Sequence, residues 1–210
     1  MFGKEDTLIV CALEQETVGQ LEDWNILYTG VGKINATYKL FEHFGTFDTK
    51  PAVRREYSLI INYGTAGSRI SPIGELVDCT KFIQRDMDVT GLGFMKHQTP
   101  YENPNAMIIR YRTEPPSPLF NPIGKNYTCG TGDSFVESLE KGDSNIDVFD
   151  MEAYALAKVC YYYKVPFISF KYITDNANEH SVGDWNDNLG KGIVQFKERV
   201  LDLLPKEEEL

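Results

Sequence analysis

Apolar residues fall in short blocks along the chain, separated by polar and glycine-rich segments. Leu8–Leu13 is a continuous apolar run that stops at Glu14, and it reads as a buried strand. Asn25–Thr29 is a second, shorter strand candidate. After the turn Gly30-Val31-Gly32-Lys33, the residues Ile34, Tyr38, Phe41 and Phe44 recur at helical spacing, which predicts one apolar helix face. Tyr57–Tyr63 reads as a buried strand, Leu76–Ile83 is another strand candidate, and Lys125–Cys129 reads as a short strand; Asp147–Phe149 precedes a helix. A helix is expected from about Glu152 to Tyr163, then a strongly apolar strand over Pro166–Thr174. A final helix is expected from the stripe Leu189, Ile193, Phe196, Val200 and Leu203. Pro51 and its charged neighbours mark a loop. Prolines crowd residues 94–125, which predicts loops around one strand near Met107–Tyr111.

Strands and helices thus alternate, and several strands are apolar on both faces. The pattern predicts an α/β fold: a three-layer domain with a central mixed, largely parallel sheet flanked by helices. Residues 1–204 are expected to form one domain, and 205–210 an acidic, frayed tail. In such sheets ligands bind at the carboxyl ends of strands. Four expected strand ends carry polar or glycine-rich groups: Glu14–Glu16, Gly64–Ser68, Gly130–Ser134 and Thr174–Asn178. A fifth polar group, Asp150–Glu152, opens a helix.

Charge narrows the partners. The 210 residues carry a formal net charge of −10, a field that attracts neither nucleic acid nor anionic membrane. No stretch approaches the roughly 20 apolar residues of a membrane span. The run before Glu14 lacks the basic flank and cleavage site of a signal peptide. The cytoplasm is the expected compartment. Cys11, Cys79, Cys129 and Cys160 show no CxxC spacing and are expected to be buried, reduced thiols. His43, His97 and His180 are scattered, so no metal site is predicted.

The candidate chemistry has ordinary alternatives. Gly64-Thr65-Ala66-Gly67 is a tight strand-to-helix turn or a place where backbone approaches a ligand. Asp175 follows the apolar strand, where partial desolvation would make it a general acid; otherwise it caps a turn. Glu152 is a sugar ligand or a helix first-turn acid, and Glu14 and Glu16 are site carboxylates or solvated ones.

Taken in order, several segments resemble the nucleoside phosphorylase/nucleosidase superfamily, and within it the 5′-methylthioadenosine/S-adenosylhomocysteine nucleosidase branch. They are Ala12-Leu13-Glu14-Gln15-Glu16, Thr29-Gly30-Val31-Gly32-Lys33, Asn62-Tyr63-Gly64-Thr65-Ala66-Gly67, Arg85-Asp86-Met87-Asp88-Val89-Thr90, Gly132-Asp133-Ser134-Phe135, Asp150-Met151-Glu152-Ala153 and Thr174-Asp175-Asn176-Ala177. The resemblance implies hydrolysis of a purine nucleoside without metal or organic cofactor, by a homodimer. It implies Asp175 as the acid that protonates the purine and Glu16 as the carboxylate that positions and deprotonates water. Glu152 would hold the ribose hydroxyls and Met151 would pack beside the sugar. Phe135 would stack on the base, the Val136 backbone would read its edge, and Thr65 would lie near the sugar and water. Trp185 stands where an aromatic lines the 5′ end of the substrate, and Asn176–Asp184 before it reads as a mobile closing loop. The alternative is that Trp185 only staples the final helix to the core.

The chain departs from the pattern at Lys171, where the branch usually carries arginine, and over Met95–Pro104. At Asn62, phosphorylases of the superfamily tend to carry a phosphate-binding arginine. That favours water over phosphate as the nucleophile. A phosphate-dependent phosphorylase and a non-catalytic nucleoside-binding protein are the competing expectations.

Overall fold

The computed structural model describes residues 3–45, 57–102, 108–111, 120–140 and 142–204. The expectations at Pro51 and for the tail 205–210 lie outside them. Among the described residues the eight strands are β1 (Thr7–Cys11), β2 (Asn25–Tyr28), β3 (Leu59–Ser68), β4 (Leu76–Gln84), β5 (Ile108–Arg110), β6 (Tyr127–Thr131), β7 (Val148–Asp150) and β8 (Phe167–Asp175). The helices are α1 (Lys33–Phe44), α2 (Ala153–Tyr163), α3 (Ser181–Asn188) and α4 (Ile193–Arg199).

All eight strands join one mixed sheet. The pairs β1–β2, β1–β3, β3–β8, β4–β6 and β6–β7 are parallel. The pairs β3–β7, β4–β5 and β4–β8 are antiparallel. The mixed sheet flanked by helices is as expected, but the pairings do not describe an open sheet between two layers. Strand β3 is long enough to pair with β1 over its first half and with β7 at Gly67 and Ser68. Together β3, β8, β4, β6 and β7 form a closed ring of pairings. The register shift between Ala66 and Gly67 supplies the local bend that such closure needs.

Both faces of the central strands are buried, and alternation sorts their side chains. Leu8 and Val10 pack into one core with Leu40, Leu156 and Cys160 from α1 and α2. Ile9 and Cys11 face the other core, with Tyr63, Phe196 and Val200. Tyr63 stacks on Phe196 with ring centroids 4.3 Å apart. All four cysteines are buried and free, as expected.

Three local expectations change. In α1 the buried stripe is Ala36, Leu40 and Phe44, whereas Ile34 and Tyr38 of the expected face are 80% and 59% exposed. The expected final helix is broken: α4 is only Ile193–Arg199, and a 3-10 turn at Leu201–Leu203 buries Leu201 while Leu203 faces outward. Gly190 at φ +81° separates α4 from the preceding helix. Finally, much of the expected closing loop is ordered as α3, which begins at Ser181 and contains Trp185.

Candidate active site

A cavity of about 340 Å³ opens where β1, β3, β7 and β8 end, beside α3. Its wall includes Glu16, Thr65, Phe135, Val136, Met151, Glu152, Asp175 and Trp185. One enclosure thus gathers eight of the nine sequence-predicted site residues; Lys171 is not on its wall.

The strand end at Gly64–Gly67 is not a turn. It continues β3, and its glycines make room for carboxylates. A Cβ on Gly67 would lie 2.5 Å from Asp175 Oδ1, and one on Gly64 would lie 3.1 Å from Glu16 Oε1. Gly130 and Thr131 are likewise strand residues.

Asp175 ends β8 and is 3% exposed. Its Oδ1 accepts the Ala177 amide at 3.0 Å, and its Oδ2 accepts the Thr174 hydroxyl at 3.0 Å. Ala177 adopts φ +50°, a left-handed conformation unusual for alanine, and in it its amide reaches Asp175. Glu16 closes a single 3-10 turn at Glu14–Glu16 and is buried, while Glu14 is exposed. Oε1 of Glu16 accepts the Thr65 amide at 2.8 Å and its hydroxyl at 3.0 Å, and Oε2 accepts the Leu13 amide at 3.1 Å.

Glu152 is the N-cap of α2, and its Oε1 accepts the Gly32 amide at 2.8 Å. Burial is the main cause that pushes its pKa up to about 8, helped by Asp150 and opposed by Lys171 and the Gly32 amide. Met151 precedes it at the cavity wall. Phe135 is 41% exposed at the mouth, whereas Val136 is buried. Arg85, itself buried, donates to Ser134 O at 3.0 Å and Ser134 Oγ at 2.7 Å, and so fixes the segment that carries Phe135.

Residues 125–204 match the family model described as the phosphorylase superfamily. The chain is 29% identical to a 5′-methylthioadenosine/S-adenosylhomocysteine nucleosidase of Shewanella loihica, over 89% of this chain and 84% of the relative. Identity to the nucleosidase of that name from Bacillus subtilis is 27%, over 97% of this chain and 90% of the relative. Over residues 125–204 the chain is similar to the phosphorylase superfamily. A crystal structure of the Helicobacter pylori nucleosidase, a mutant with 5′-methylthioadenosine in its active site, shares the fold. Its TM-score is 0.76 at 19% identity, covering 95% of this chain and 99% of that one. Futalosine hydrolase of Helicobacter pylori has the same fold, with a TM-score of 0.74 at 19% identity over 94% of this chain and 97% of that one.

Lys171 occupies an inner position. Its side chain is 1% exposed, and Nζ pairs with Asp150 Oδ2 at 2.8 Å. The sequence placed it among the substrate-binding residues; in the structure it is not on the cavity wall, and its charge is held by the Asp150 carboxylate, which is. Burial opposes the lysine's charge, but Asp150, Cys129 and Glu152 outweigh it and move its pKa up. Burial likewise opposes the charge of Asp150, and Lys171, Thr131 and the Ala153 amide overcome it, so its pKa moves down. Asp150 also accepts the Thr131 hydroxyl at 2.6 Å and the Ala153 amide at 2.8 Å, which anchors the start of α2 and with it Glu152.

Sequence reasoning passed over this Asp150 anchor, and over the role of Gly32. It also missed a brace in which Lys33 pairs with Asp86 and with Asp133, at 3.3 Å for the latter. The signal was present in the segments around Gly32-Lys33, Asp86 and Asp133, but nothing in their spacing joins them. Asn62 is buried in β3, donating to Val10 O at 3.0 Å and accepting from Ser169 at 2.7 Å, and it does not line the cavity.

Proposed function

We propose that this chain hydrolyses the N-glycosidic bond of a purine nucleoside of the methylthioadenosine/S-adenosylhomocysteine type, releasing free base and free sugar. The observation that carries the reading is the convergence of Asp175, Glu16 and Glu152 on one cavity with Phe135 at its mouth. In this reading the base stacks on Phe135 and meets the backbone of Val136. Protonated Asp175 gives its proton to a purine ring nitrogen as the C1′–N bond breaks, and the bonding pair leaves with the base. Positive charge then spreads over the ribosyl ring. Nearby carboxylates stabilise such an oxocarbenium-like state electrostatically. Glu152 holds the ribose hydroxyls with Met151 beside the sugar. Glu16 orients a water, which attacks C1′ and gives its proton to Glu16. Trp185 lines the 5′ substituent.

Water is favoured over phosphate because no Lys, Arg or His is among the described residues that line the cavity. A phosphate nucleophile brings charge that such a wall leaves uncompensated. The test is a nucleoside panel with product detection, run with and without phosphate. Free base and free sugar in phosphate-free buffer are expected; a sugar 1-phosphate as product would make it a phosphorylase. Tight binding without release of base would make it a nucleoside-binding protein.

The same reading includes a homodimer acting in the cytoplasm. Supporting the first is an exposed apolar groove between α1 and α2, lined by Ile34, Tyr38, Phe41, Val159 and Tyr162. A contiguous apolar surface of this kind is suited to association with a second copy. Supporting the second are the four buried free thiols, which fit a reducing compartment. Among the described residues no helix is long and apolar enough to cross a membrane.

A further inference from the structure

We propose that Trp185 is a positioning residue for Glu16, acting through the Thr65 hydroxyl. The inference rests on the reading that Glu16 orients the attacking water. Trp185 Nε1 lies 3.0 Å from Thr65 Oγ1, and Thr65 Oγ1 lies 3.0 Å from Glu16 Oε1. The direction of both bonds follows from the donor inventory. An indole N–H only donates, and a hydroxyl has one proton and two lone pairs. Thr65 Oγ1 must therefore accept from the indole, and its single proton is left for Glu16. With the Thr65 amide on the same oxygen and the Leu13 amide on the other, the carboxylate is held by three donors. Two come from backbone. The third is a rotor whose orientation is set by α3.

A phenylalanine at this position would wall the cavity as well as tryptophan does, but it would leave the Thr65 hydroxyl free to turn its proton toward solvent in the cavity. Trp185 shares α3 with Val182 and Asn186, which also line the cavity. The helix that walls the substrate space is thus hydrogen-bonded to the carboxylate assigned to water. The position of α3 and the geometry of nucleophilic attack are linked through one hydroxyl.

The test compares Trp185→Phe, Thr65→Ala and the double variant on an unsubstituted and a 5′-alkylthio purine nucleoside. One neutral hydrogen bond is typically worth a roughly 3–10-fold change in rate. Trp185→Phe is expected to lower kcat by about that factor on both substrates, with any KM change confined to the 5′-alkylthio one. In the Thr65→Ala background the same substitution should lower kcat no further, because the link is already cut. A full kcat in Trp185→Phe, or losses that multiply in the double variant, would overturn the proposal. A readout independent of turnover is the NMR resonance of the Leu13 amide, which binds the far oxygen of Glu16 and should shift in Trp185→Phe. If the wild-type protein cleaves no nucleoside, the proposed function fails, and the Leu13 amide alone decides: a shift supports the link and an unmoved resonance rejects it.

Discussion

Asp175, Glu152 and Glu16 are the same functional group in three surroundings. Asp175 is buried against Gly67 and receives one amide and one hydroxyl. As the proposed general acid it should tolerate Asp175→Asn in shape and not in function. Turnover is expected to fall by roughly 10²–10⁴-fold with the fold retained, as measured by steady-state kinetics beside circular dichroism; near-normal kcat would remove it from the mechanism. Glu152 differs because burial lifts its pKa from an ordinary 4.5 to about 8. The folded protein therefore binds a proton that the unfolded chain has lost between those values. Stability from the neutral form is complete below about 4.5 and lost as pH rises through about 8. Glu152→Gln keeps an acceptor for the Gly32 amide and cannot ionise. Its Tm should match the wild type near pH 5, and should exceed it by several degrees near pH 9, on the order expected for a single shifted group. Parallel Tm profiles across that range would show that Glu152 titrates normally.

At the scale of elements, the site depends on how closely β3 approaches its neighbours. The run Gly64-Thr65-Ala66-Gly67 looks like a turn in sequence because glycine and small residues punctuate chains. It is strand, paired with β8 from Ile60 to Gly67. Its small residues reflect what lies beyond them: the carboxylates of Glu16 and Asp175. A methyl group at Gly67 would meet Asp175 Oδ1 at 2.5 Å, so Gly67→Ala must move the acid or the strand. Misplacing a reacting group by about 1 Å costs roughly 10²-fold in rate. A loss of kcat near that size is expected for Gly67→Ala, with a modest fall in Tm; unchanged kcat would mean that the close approach is not needed. Helix α3 teaches the converse. Its eight residues are mostly polar and include Gly183, so periodicity offers no signal for them. Contacts made after folding hold it: Asn188 donates to Thr174 O at 3.0 Å, and Trp185 donates to Thr65.

At the scale of the whole molecule, α1 carries two apolar stripes that share Phe44. Sequence periodicity selected Ile34, Tyr38, Phe41 and Phe44 because those side chains are large. Packing selected Ala36, Leu40 and Phe44, since a small residue lets the helix sit close to the sheet. The unused stripe remains outward beside Tyr162, which is 70% exposed. Under the homodimer proposal, Ile34→Glu with Tyr38→Glu places charge in the interface. Light scattering should then report monomers where the wild type gives dimers, with little loss of monomer Tm because neither side chain is in the core. A wild-type monomer at assay concentration with full activity would remove the dimer.

Taken alone, the amino-acid sequence determined the alternation of strands and helices, the apolar strands buried on both faces, and the polar groups at their ends. It also marked Asp175, because an acid directly after a long apolar run stands out, and marked Glu152 and Glu16 through their place in the ordered segments that carry the family resemblance. Those features are local, and local chemistry is what a sequence records. Only the tertiary structure decided that β3, β8, β4, β6 and β7 close on one another, which stripe of α1 is buried, and that Lys171 is buried against Asp150. It alone joined Gly32 to Glu152 across 120 residues and Trp185 to Thr65 across another 120. Such pairings are set by the bends and packing of distant segments, and no spacing along the chain encodes which donor will meet which acceptor.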